Sequence, residues 1–133
     1  MFEAKVYHIA VSTLGTILQE EYIAKETIQK WNTECAEKAG KLFLYVPEES
    51  RSIPDLYIVI INSYVETAKV EKLIATGRSV MLFFSKYHDP RYSIQAEIDK
   101  VDAFKETVKN KCICVDYCIS GELKEMLFAE LSK

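Results

Sequence analysis

The sequence has no run of basic residues, no apolar stretch near the roughly 18 residues of a membrane span, and no CxxC pair. With a net charge of −3, the first absence excludes nucleic acid and anionic membrane surfaces as partners. The second excludes a spanning helix, and no basic-then-apolar leader opens the chain, so it reads as cytoplasmic. The third bears on the four cysteines, Cys35, Cys112, Cys114 and Cys118. A strand would turn Cys112 and Cys114 to one face, which could support a metal. Neither His8 nor His88 lies near them in sequence, so they read as core thiols of a reducing compartment, and no metal or resident cofactor is expected. Internal repeats, linkers and low-complexity tracts are also missing. Residues 1–133 therefore read as one domain, with a hydrophobic fraction of 49% and a charged fraction of 28%, ordinary for a soluble globular chain.

What is present is an alternation of short β-branched runs with longer amphipathic segments. Residues 5–11, 41–46, 56–61, 79–84 and 112–117 read as strands, and 56–61, LYIVII, is apolar on both faces as a central parallel strand would be. A first helix over 17–39 carries Ala24, Ile28, Trp31 and Cys35 at 4-3-4 spacing and stops at Gly40. Thr16 with Gln19 has the form of a capping box at its start. A second helix over 65–76 places Thr67, Val70, Leu73 and Ile74 on one side and stops at Gly77. A third is marked by Ile94, Ile98, Val101, Phe104 and Val108. A fourth, capped by Ser120, turns Leu123, Leu127 and Leu131 inward.

This order predicts an open, mostly parallel five-stranded sheet with helices on both faces. The helices over 17–39 and after Ser120 are expected on one face, and those over 65–76 and 94–109 on the other. One element is missing. A parallel crossover usually takes a dozen residues or more and a helix, yet only the polar, proline-bounded stretch 47–54, PEESRSIP, joins the second strand to the third. The gap predicts apolar sheet surface on the second face near strands one and two.

HIAVSTLGTILQEEYIAKETIQKWN, PDLYIVII, ATGRSVMLFFS and VDAFKETVK together resemble, in order and over most of the chain, a bacterial family of uncharacterised TIR-like domains. That family is similar in fold to nucleoside 2-deoxyribosyltransferases. The resemblance implies a flavodoxin/TIR-like three-layer α/β/α domain with one crossover helix missing. It also implies a site for nucleosides, NAD or related molecules at the carboxyl ends of the strands, and N-glycosidic cleavage by a helix glutamate. Counting back from Gly77, that glutamate falls on Lys69 here.

N-glycosidic cleavage needs a carboxylate beside the anomeric carbon, and a lysine's charge opposes the cation being formed. Glu66, one turn earlier, is the rescue candidate. Ser63-x-x-Glu66 is equally a capping box, which is the preferred reading, and Glu71 reads as solvated. Ser12, Thr13, Gly15, Thr16, Asn62, Ser63, Lys69, Ser85 and Tyr87 are expected to line the strand-end cleft, where a helix N-terminus suits a phosphate or ribose oxygen. His8 reads as a satisfied core histidine, and His88 and Asp89 as a turn.

Three functions are compatible with this pattern. The first is a non-catalytic domain binding a nucleotide or an NAD-derived small molecule. The second is an interaction module that uses the uncovered face to form a homodimer or dock a protein partner. The third is an N-glycosidase acting through Glu66.

Overall fold

The computed structural model describes residues 3–14, 18–46, 54–61, 67–86 and 94–133, and only the main chain of Thr13, Leu14, Leu18 and Ser120. The elements run β1 (Lys5–Leu14), α1 (Leu18–Ala39), β2 (Lys41–Tyr45), β3 (Leu56–Ile61), α2 (Thr67–Ala75), β4 (Ser79–Ser85), α3 (Gln95–Val108), β5 (Ile113–Tyr117) and α4 (Ser120–Leu131). The five strands form one parallel sheet in the order β2-β1-β3-β4-β5. That is the flavodoxin-like doubly wound order.

Period-2 apolarity divides the core into two layers. Ile9 and Val11 of β1, Ile58 and Ile60 of β3, and Met81 and Phe83 of β4 face α1 and α4. From the helices, Ala24, Ile28, Trp31, Leu123, Leu127 and Leu131 meet them, none more than 2% exposed. Trp31 packs edge-on against Phe43 of β2, with ring centroids 4.9 Å apart, and its indole N–H donates to the Ser132 hydroxyl at 3.0 Å. On the other face Val59, Ile61, Val80, Leu82 and Phe84 pack against Val70 of α2 and Val101, Phe104 and Val108 of α3. The helices pair by face as the pattern predicts.

Local details depart in small ways. Gly40 and Gly77 stop α1 and α2 at φ +69° and +78°, the left-handed region that a side chain disfavours. Ala36 is buried in the last turns of α1, whereas Cys35 is half-buried. Ile94 is not part of the α3 core: it precedes the helix as its cap residue and is 66% exposed. Ser120 is the first residue of α4, with Ile119 in the cap position. The proposed caps at Thr16 and at Ser63 with Glu66 lie outside the described residues, as do the turn at His88 and Asp89 and most of the 47–54 link.

The register sets how far the connection from β2 to β3 has to travel. Strand β1 is longer than its apolar run suggested, because its two halves serve different neighbours. Residues Lys5 to Ile9 pair with Lys41 to Tyr45 of β2, and Ile9 to Leu14 pair with Leu56 to Ile61 of β3. Strand β3 thus begins at the height where β2 ends. The connection has no strand length to retrace and needs only to step sideways over β1, two strand spacings or about 10 Å. An extended chain from Tyr45 to Leu56 can reach roughly 30 Å or more.

The join is sealed by hydrogen bonds. Val46 N–H donates to the Ile9 carbonyl at 2.9 Å, and Asp55 N–H to the His8 carbonyl at 2.8 Å. The Asp55 carboxylate then accepts from His8 N–H at 2.8 Å. The second face near β1 and β2 is less bare than expected. Ala10 and Ser12 are 2% and 5% exposed, while Val6 and Leu44 remain 45% and 49% exposed.

Candidate functional site

From β1 the chain leaves toward β2 on one side, and from β3 it continues toward β4 on the other. Their carboxyl ends therefore flank the topological switch point, the crevice where open α/β sheets take their ligands. Ser12 lies in β1 opposite Val59, one residue before Thr13, which is opposite Ile60. Strand alternation turns Ser12 to the α2 face, where it is buried. Lys69 projects from the first turn of α2, and its ammonium donates a long hydrogen bond of 3.4 Å to the Ser12 hydroxyl. Sequence reasoning named both residues, and the fold brings them together at the switch point.

The other expected site residues separate. Ser85 ends β4 opposite Tyr117 of β5 and, by the same alternation, lies on the α1 and α4 face with Met81 and Phe83, away from Lys69. Glu71 is exposed and lines a groove between α2 and α3 of about 540 Å³. Gly15, Thr16, Asn62, Ser63, Glu66 and Tyr87 lie outside the described residues.

His8 is not a core histidine. Its side chain is 42% exposed, with Nδ1 3.7 Å from the Asp55 carboxylate. That carboxylate also meets Arg78 at 3.7 Å. These charges sit at the amino edge of the sheet, opposite the switch point. There Asp55 and Arg78 join Tyr7, Lys41, Met81 and Leu131 around a cavity of about 460 Å³.

Two groups at the carboxyl edge were not anticipated. Asp116 in β5 takes both oxygens to the Lys105 ammonium, the longer contact at 2.6 Å, and lies 3.6 Å from that of Lys86. An aspartate inside the apolar run CICVDY is the sequence signal for this pair. At such exposure it is worth no more than about 1 kcal/mol. The Tyr117 phenol is buried with no hydrogen bond of ordinary geometry among the described residues. Burial, with the charge of Glu20, pushes its pKa up to about 12, and the Ser85 side chain opposes the rise.

Cys112 and Cys114 pack against the α2 and α3 core as half-buried thiols. Burial, reinforced by Cys114, pushes the Cys112 thiol up to about 12, and burial also raises Cys114. Shifts in this direction make both thiols poor nucleophiles at neutral pH. Among the described residues, no three metal-ligating side chains of His, Cys, Asp or Glu converge, and no helix is long and apolar enough to cross a membrane.

No family model matches the chain, and no curated protein is similar to it. Among solved structures it is similar to a short-chain flavodoxin associated with a non-canonical PDU bacterial microcompartment, at 15% identity over 95% of each chain with a TM-score of 0.47. The fold class rests on the strand order itself: a five-stranded parallel α/β domain of flavodoxin-like topology.

Proposed function

We propose that this domain binds a nucleotide- or nucleoside-derived small molecule, an NAD-related one included, at the carboxyl ends of β1 and β3 without turning it over. The Lys69 ammonium over the buried Ser12 hydroxyl carries this reading. A cation beside a hydroxyl, at the N-terminal turn of a helix, suits a phosphate or ribose oxygen. The same cation is the wrong sign for N-glycosidic cleavage, whose transition state is itself positive. Gly15, Thr16, Asn62 and Ser63, which follow β1 and β3 in sequence, belong to the proposal as sequence expectations only. A thermal-shift panel of nucleoside monophosphates, NAD and cyclic nucleotides tests it. A binder raises Tm by mass action, and a response that is flat throughout the panel removes the reading.

A second reading is favoured by a separate observation, the half-exposed Val6 and Leu44 on the uncovered part of the second face. In this reading that face forms a twofold homodimer, the commonest soluble assembly. Leu44→Lys should then shift sedimentation at micromolar concentration from dimer to monomer. A parent chain that already sediments at 15.3 kDa removes it.

A further inference from the structure

Strand β2 is the outermost strand of the sheet, and its sequence, KLFLY, is short, apolar and β-forming. Such an edge is a template for pairing with another strand. In a parallel ladder, alternate residues direct both N–H and C=O to opposite sides. Lys5 N–H donates to the Gly40 carbonyl and Val46 N–H to the Ile9 carbonyl, both at 2.9 Å. These two bonds fix the even-numbered residues of β2 as those that face β1. Lys41, Phe43 and Tyr45 therefore turn their main chain outward, with Phe43 at the centre.

Helix α1 reaches over this edge. The Asn32 carboxamide donates to the Phe43 carbonyl at 2.7 Å and accepts from Phe43 N–H at 2.9 Å. A carboxamide carries the same donor and acceptor as a peptide group, so Asn32 occupies Phe43 as one residue of a neighbouring strand would. Further along, the Tyr45 hydroxyl meets Glu21 at 3.4 Å, and the Lys25 ammonium lies 4.5 Å from the centre of the Tyr45 ring.

We propose that Asn32 guards the β2 edge against strand pairing with a second copy of this chain. Twofold-related copies meet at like edges, and like edges of one strand run antiparallel. With Phe43 on the twofold axis, its N–H and C=O would bond the same residue of the second copy. Lys41 would oppose Tyr45, and the strand's single charge would fall at opposite ends of the pair, without repulsion. Lys41, Phe43 and Tyr45 are thus suited to self-pairing, and Asn32 blocks the central residue on which it depends.

The test is sedimentation of Asn32→Ala beside the parent chain over the micromolar range, with amide hydrogen exchange at Phe43. The variant should gain mass with concentration beyond the parent, toward twofold. Its Phe43 amide should lose protection when dilute and regain it on association. A variant that sediments as the parent does at every concentration overturns the proposal, as does association that leaves Phe43 unprotected. If Asn32→Ala does not fold, the parent alone decides. Its Phe43 amide must exchange at least tenfold more slowly than an unprotected amide, and exchange at the unprotected rate contradicts the guard.

Discussion

Tyr45 and Leu56 stand opposite the same residue, Ile9, on its two sides. One strand ends where the other begins, so the connection between them has only to span two strand spacings. Loop length should then matter little. Inserting a Gly-Ser pair in the 47–53 segment should cost well under 1 kcal/mol in urea denaturation, because closure entropy grows only slowly with length. A loss of several kcal/mol would show that the segment itself packs as structure.

The step leaves a seam that Asp55 closes. Its carboxylate serves His8 N–H at 2.8 Å where no β3 residue is available. Asp55→Ala should cost about 1 kcal/mol or somewhat more, and Asp55→Asn, which keeps an acceptor, less. Equal stability of the two variants and the parent would mean that water serves His8 as well.

Much of this architecture is legible in the sequence, because burial repeats there. The 4-3 spacing of Ala24, Ile28 and Trp31 and the doubly apolar LYIVII state which faces are covered. Register is not legible. Nothing in KLFLY says that it pairs with only the first half of β1, so the missing helix reads as a gap in the sheet rather than as a consequence of stagger. His8 reads as a core histidine for the same reason: its partner Asp55 comes from across that stagger. In the candidate site, Ser12 could be named from a strand end, and Lys69 only through the family resemblance, by its distance from Gly77. Tyr117 could not, since a tyrosine in a strand ordinarily signals packing.

Alkali should reveal the buried acids. The folded state holds the Cys112 thiol at about 12 against an ordinary 9.0, and the Tyr117 phenol at about 12 against 10.0. Both pKa values are raised on folding, so the folded state binds the proton more tightly. That stability is complete below the unfolded values and is lost as pH rises from about 9 toward 12. Urea midpoints should therefore fall across this window. In Cys112→Ala with Tyr117→Phe the fall should be shallower, and an unchanged slope would assign it to other groups. At pH 7.5 a thiol reagent should modify exposed Cys118 well before Cys112.

The central claim is that the crevice between β1 and β3 holds a phosphate- or ribose-bearing small molecule through Lys69 and Ser12. Titration calorimetry of the parent chain and of Lys69→Ala, with the nucleoside monophosphates and NAD, tests it most directly. The account predicts saturable binding by the parent to at least one of them, no consumption of that ligand, and affinity at least tenfold weaker in a variant that keeps the parent's unfolding free energy within about 1 kcal/mol. Binding that Lys69→Ala leaves unchanged, or a parent chain that binds none of them, would contradict it.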